Sequence, residues 1–193
     1  MKLSKLGYFA EFFLFPPIVL ISTALAFFYI ASPPHPATWV AVFGLGLAGW
    51  TFIEYWLHRV IFHHAPLISQ LHHLHHDDPR DLIGTPAWGS VLSGLIGFAL
   101  PAWALLGFGL ATAATAGMAA GYLWFVFVHY AIHQWQPRHG SYLYRVRLRH
   151  AQHHYVSDGG NFGVTTGVWD HVFGTELQQP ARRSERETGL SVH

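Results

Sequence analysis

The sequence predicts an all-α integral membrane protein, four transmembrane helices with a histidine-rich helical cap, and three observations carry that prediction. Hydrophobic residues make up 51% of the 193 positions and charged residues 11%, against roughly a quarter charged in soluble domains. The apolar residues gather into four stretches, 12–32, 37–57, 88–109 and 110–132. Each is long enough, at about 1.5 Å per residue, to cross a hydrocarbon core of about 30 Å. Ten of the 16 histidines fall into four tight clusters beside those stretches.

Taken in order, the first stretch follows Lys2 and Lys5 and contains Ala24-Leu25-Ala26, a pattern that resembles a secretory signal. Its apolar run continues to Ala31, beyond the roughly 7–15 residues of a signal core, so it reads as a retained anchor. Pro16 and Pro17 in this stretch and Pro101 in the third predict kinks, which neighbouring membrane helices tolerate. Glu54, in the second stretch, is the single charge within any of the four. The third and fourth run together without a charge, and we divide them in the glycine and small-residue stretch 107–115, where a tight turn fits. Trp56, Trp88, Trp124 and Trp135 near the span ends suit the membrane interface. A chain this small cannot wrap four such helices in polar surface of its own, which argues against a soluble fold. Residues 1–193 read as a single membrane domain with a mobile polar tail over 178–193. Absence of cysteine rules out disulfides and thiolate metal sites. A net charge of +1 with no recognised motif gives no support for a nucleic-acid partner.

Four spans put both termini and the loop between spans two and three on one side. All 11 Lys and Arg lie there, which marks that side as cytoplasmic. The ten clustered histidines share it: His58 and His63; His72, His75 and His76; His129 and His133; His150, His153 and His154.

Residues three and four apart on a helix share a face. The two His-x-x-His-His triples therefore aim their rings broadly one way, as does the His129/His133 pair. Adjacent rings such as His75 and His76 still diverge by about 100°, so interleaving between two metals is expected. His58 and His63, five apart, are rotated by roughly 140° on an α-helix, and the pair requires a helix end or a bend. Imidazole titrates near 6.5 and is mostly neutral at pH 7. Ten neutral nitrogen ligands exceed one ion's coordination number, which predicts a dimetal centre with about five each and room for an exchangeable ligand. Such a centre ties four remote segments together and should loosen when stripped. Nitrogen ligands alone suit zinc, copper, iron or nickel. A site where membrane helices end can take an acyl chain from the bilayer and electrons from the cytoplasm, an arrangement that non-haem iron activating oxygen fits best.

Around the clusters, Glu54 precedes His58 by four residues and is expected to accept the ring N–H that faces away from the metal. Asp170 is a candidate for the same role toward another ligand, with a surface acid as the favoured reading. His64, His73, His139 and His171 lie outside the pattern, and His35 and His193 are read as uninvolved. Arg145, Arg147 and Arg149, with Arg59 and Arg138, suit lipid phosphates or an acidic electron donor.

The ordered clusters, H-x4-H, H-x2-H-H, H-x3-H and H-x2-H-H, resemble the membrane fatty acid hydroxylase and sterol desaturase superfamily. The likeness runs from about Thr51 to Leu177. Within the superfamily the chain is most similar to fatty acid 2-hydroxylases, through Glu54-Tyr55-Trp56-Leu57-His58-Arg59, Phe62-His63, Gly140-Ser141-Tyr142-Leu143-Tyr144 and the run from Asn161 to Thr175. The resemblance implies an oxygen-dependent hydroxylase of lipid C–H bonds, with two iron ions on the ten histidines; zinc can take the place of iron in purified samples. It also implies a separate cytochrome b5-type or ferredoxin-type donor, since only Met1 to Glu11 precede the first predicted span. Fatty acyl or sphingolipid acyl chains lead as substrates, with sterols, carotenoids and other isoprenoids as alternatives. The chain departs from its closest likeness after Pro79 and Asp81, where it reads Leu82-Ile83-Gly84-Thr85-Pro86 without the usual arginine, and at His73, where glycine is common. A metal transporter or store would need ligands near the bilayer midplane, and a b-type haem carrier would need only two of the ten histidines.

Overall fold

Residues 2–29 and 35–178 are described in a computed structural model. The end of the first predicted span, half of the loop after it, His193 and nearly all of the predicted mobile tail lie outside the described residues. The described chain is helical, and its one bridge of strand type pairs Lys2 with Ile83.

Helix α1, Lys5–Tyr29, begins well before the predicted boundary at residue 12. Ser4 accepts the Gly7 N–H at 3.1 Å and starts the helix there, which carries Lys5 and Glu11 into the span. Pro16 and Pro17 sit inside this one continuous helix. Helix α2, Pro36–Trp56, opens on a proline whose missing N–H costs nothing in a first turn. It runs straight into a π-helical turn, Leu57–Phe62. Helix α3, Pro66–Asp77, also opens on proline.

The third span is built from α4, Ala87–Gly94, a π-helical turn, Leu95–Ala99, and α5, Leu100–Leu106. Pro101 has no N–H to donate, and the turn before it widens. The break between spans three and four is a single residue, Gly107, with φ of 75°. Glycine takes that backbone conformation freely.

The small residues from 108 to 115, read from sequence as part of a turn, instead belong to α6, Phe108–Gln134. Their smallness serves packing. A Cβ on Gly46 would lie 2.2 Å from the Ala114 carbonyl oxygen, and one on Gly117 would lie 2.0 Å from that of Phe43. Helices α2 and α6 thus cross almost backbone to backbone, as membrane helices do through small residues. Helix α6 packs against α1, α2 and α5 and is the most buried of four helices long and apolar enough to span a membrane. Leu20, Leu45, Ile96 and Leu105 stay exposed on the outer faces of the others, as lipid-facing side chains would.

At one end of this bundle Lys2 pairs with Asp81 at 2.7 Å and the Leu3 N–H donates to Leu82, joining the chain's start to the loop between spans two and three. Helix α7, Tyr142–Tyr155, is capped by Ser141, which accepts from the Tyr144 N–H, and α8, Val168–Phe173, follows.

Candidate metal centre

The π-helical turn solves the problem posed by His58 and His63. Its hydrogen bonds run from residue i to residue i+5, so a side chain five positions on returns to the same side. The two rings lie 5.4 Å apart and 25° from parallel. One ligand atom from each of His58, His63, His72, His76 and His153 falls within a sphere of mutual 4.8 Å distances, and so do those of His75, His133, His150 and His154. His129 flanks the second set, its Nε2 3.2 Å from that of His133. All ten predicted histidines converge, five with each set. The sets touch where the His76 and His154 rings stack at 4.1 Å.

The nitrogens are spaced as ligands of a shared ion. Nε2 of His72 lies 3.1 Å from that of His58 and 3.0 Å from that of His76, and Nε2 of His150 lies 3.0 Å from those of His133 and His154. Two nitrogens each about 2.1 Å from one ion and 3.0–3.2 Å apart subtend about 90–100° at it, an ordinary coordination angle. Nε2 of His63, His75 and His153 is buried without a hydrogen-bond partner, which is costly unless a cation takes the lone pair. Nδ1 of His58 donates to the Phe162 carbonyl at 2.6 Å, and Nδ1 of His153 to that of Gly160 at 2.8 Å. A carbonyl only accepts, so each Nδ1 carries the proton and each Nε2 presents its lone pair inward.

Electrostatics agree. Burial holds His63 and His75 down to about 4 and His76 to about 3, helped by neighbouring imidazoles, His153 first among them. Burial pushes His72, His150, His153 and His154 below 6.5 as well. The rings outside the spans are therefore neutral at pH 7, the state in which imidazole binds metal.

Those two carbonyls belong to a strap, residues 160–167, held by two buried acids. Glu54 Oε1 accepts the Val164 and Thr165 N–H groups, both at 2.7 Å, and Oε2 accepts the Thr165 hydroxyl at 2.6 Å. Asp170 accepts the Phe162 and Gly163 N–H groups at 2.8 and 2.9 Å, the Thr175 hydroxyl at 2.8 Å and Arg149 at 3.0 Å. The strap needs a missing Cβ at Gly163, where one would stand 2.0 Å from the Thr166 carbonyl oxygen. This corrects two expectations. Glu54 does not touch His58, because the strap lies between them and takes the carboxylate for its own N–H groups. Asp170 likewise touches no histidine of the centre and acts on them through Phe162. The groups that do orient ligands are main-chain carbonyls, which no side-chain pattern announces.

His64, His73, His139 and His171 are exposed and outside both sets. Of the arginines, Arg149 is taken by Asp170 and Glu176, Arg145 donates to Gly140, Arg147 to Trp135, and Arg59 to Tyr55.

A family model described as "Fatty acid hydroxylase" matches residues 43–175. The chain belongs to the fatty acid hydroxylase family. It is 31% identical over 157 residues to the fatty acid 2-hydroxylase of Rattus norvegicus, an overlap covering 75% of this chain and 42% of that protein. It is 33% identical over 146 residues to the human fatty acid 2-hydroxylase, covering 69% and 39%. With the dihydroceramide fatty acyl 2-hydroxylase FAH2 of Arabidopsis thaliana it shares 32% over 149 residues, covering 69% and 60%. A solved structure described as "Full length scs7p (only hydroxylase domain visible)" matches with a TM-score of 0.78 at 27% identity, over 89% of this chain and 67% of that one. The chain spans about two fifths of the length of the mammalian relatives. The family match takes in all ten histidines, Glu54, Asp170 and the strap, and leaves out α1 with Glu11.

Proposed function

We propose that this protein is a membrane-embedded, oxygen-dependent hydroxylase of lipid C–H bonds that works with two iron ions. One is held by His58, His63, His72, His76 and His153, the other by His75, His129, His133, His150 and His154. The observation that carries this reading is a cavity of about 140 Å³ that reaches both sets of histidines. Its walls include His72, His75 and His129 beside Phe62, Leu71, Phe125 and Val126. A methylene chain lying there faces ring nitrogens on one side and largely apolar surface on the rest, with Glu11 and Tyr122 as polar exceptions and water displaced by the chain. Paired iron, when bound, supplies the activation of dioxygen, one atom entering the C–H bond and the other leaving as water after uptake of two electrons and two protons. The protein's part is to keep the rings neutral by burial and to aim the lone pairs of His58 and His153 inward through the Phe162 and Gly160 carbonyls.

The relatives named for fatty acid and dihydroceramide acyl hydroxylation favour an acyl chain, free or in a sphingolipid, over sterol, carotenoid or isoprenoid substrates. The centre and both termini face the cytoplasm on this reading, supported by the basic residues gathered at that end. On this reading electrons come from a cytochrome b5-type or ferredoxin-type donor. A second cavity supports an approach for it, since Arg80 and Arg147 line it together with His133, His150 and His154. Zinc in a purified sample would be a substitute.

Lipid mass spectrometry of cells with and without the protein under isotopically labelled dioxygen tests the reading. A lipid that gains one labelled oxygen only when the protein is present is expected; no such lipid would overturn it.

A further inference from the structure

The first span carries a carboxylate that the candidate metal centre does not use. Glu11 Oε1 accepts the Ser90 hydroxyl of α4 at 2.7 Å and the Tyr122 hydroxyl of α6, whose oxygens are 2.9 Å from each other. Both donors converge on one oxygen. Oε2 makes no hydrogen bond among the described residues. Glu11 and Tyr122 also line the 140 Å³ cavity that reaches His72, His75 and His129. Tyr122 precedes His129 by seven residues on α6, which separates the carboxylate cluster from the histidines by about 10 Å along that helix.

An ionisable side chain within a membrane span is costly and marks either a tie between helices or a functional group. The tie between α1, α4 and α6 uses Oε1 alone. Here one oxygen is clamped and the other is left over, on a residue of the cavity wall.

On the reading that this cavity receives a lipid, we propose that Glu11 is a substrate-positioning residue whose Oε2 accepts a hydrogen bond from an O–H or N–H of the lipid's polar part. Ser90 and Tyr122 fix the carboxylate. The spacing between the carboxylate and the histidines then sets which carbon of the chain lies at the centre, several bonds from the donor group. A lipid without a donor enters the same cavity and slides in it.

Binding to the purified, metal-loaded full chain in detergent tests this, with cetyl alcohol and its methyl ether as probes. They share a chain and differ in one O–H donor. The protein is expected to retain the alcohol about tenfold more tightly than the ether, the order expected of a hydrogen bond to a carboxylate. Glu11→Ala should bring that ratio close to one by weakening the alcohol alone. Glu11→Met, which keeps the side-chain volume in the span, should do the same, and Glu11→Gln, whose amide oxygen still accepts, should keep a preference of a few fold. A wild-type ratio near one would overturn the proposal. So would an unchanged ratio in the alanine and methionine variants, or equal weakening of both probes, which would make the cluster a helix tie. Binding is read without turnover, so a protein that discriminates the probes yet inserts no oxygen would overturn the hydroxylase reading and leave this assignment standing.

Discussion

Replacing Glu54 with alanine leaves the Val164 and Thr165 N–H groups and the Thr165 hydroxyl without the carboxylate they reach at 2.6–2.7 Å. Each buried donor left unpaired costs about 1–3 kcal/mol, so the two main-chain groups alone put about 2–6 kcal/mol against the strap's native position. Glu54 is 3% exposed, and water does not reach those donors unless the strap moves. Movement withdraws the Phe162 carbonyl from His58 and the Gly160 carbonyl from His153. Losing an orienting partner of a metal-bound histidine typically lowers metal affinity about 10–100-fold. Metal content of the purified variant, followed by competition against a graded series of chelators, should show a fall of that size. Glu54→Gln should lose less, because its amide oxygen still accepts both N–H groups and its NH2 can donate to the Thr165 hydroxyl. Chelator resistance equal to wild type in Glu54→Ala would refute the claim that the strap and the centre are mechanically one unit.

Asn161 has φ of 55°, and its side chain donates to the Arg149 carbonyl and Gln152 and accepts from the Leu177 N–H. Asn161→Ala, which loses these bonds and keeps a conformation alanine disfavours, should lower stability by about 2–4 kcal/mol, measurable by denaturant unfolding in detergent. His133→Ala should lower metal content from two equivalents toward one, since His133 belongs to a single set; loss of both ions would show the sets are not separable. For the metal-free protein, burial holds His63 and His75 near 4 against 6.5 for the free side chain. The unfolded chain then takes up protons first as pH falls, so stability present above 6.5 is lost progressively between about 6.5 and 4. Protection factors in α3 and α7, corrected for the pH dependence of intrinsic exchange, should fall across that window, and protection that rises on acidification would contradict the sign.

Hydropathy exposed the four spans because a 30 Å hydrocarbon layer demands about 20 apolar residues in a row, whatever their packing. It could not find the true start of α1, where the helix is set by the Ser4 cap and by helix-forming residues that are not uniformly apolar. Nor could it tell a turn from a packing face in the run after Gly107, since small residues serve both. Histidine spacing picked out the ten side chains that the fold brings together, because each cluster had to suit a helix's geometry. The strap was visible as a motif, from Asn161 to Thr175, without its purpose. Its contribution is made by main-chain carbonyls, and Glu54 and Asp170 look in sequence like direct partners of histidines.

Neither His-x-x-His-His triple falls wholly within one set of histidines. On an α-helix, residues four apart differ by about 40° in direction, whereas the middle histidine departs from them by about 60° and 100°. His72 and His76 accordingly join one set while His75 crosses to the other, and His150 and His154 join the second while His153 crosses to the first. Helices α3 and α7 thus exchange one ligand each, and neither set can close without both helices. A π-helical turn is then required in α2, because His58 and His63 must both reach the set that α3 dominates. Beside the crossing, the same end of the fold carries a small apolar core of Val128, Ile132, Val146 and Val164. In a loaded centre the four segments would be held by ligands they share, and the buried unpaired nitrogens of His63, His75 and His153 mark where a cation would take over part of that holding.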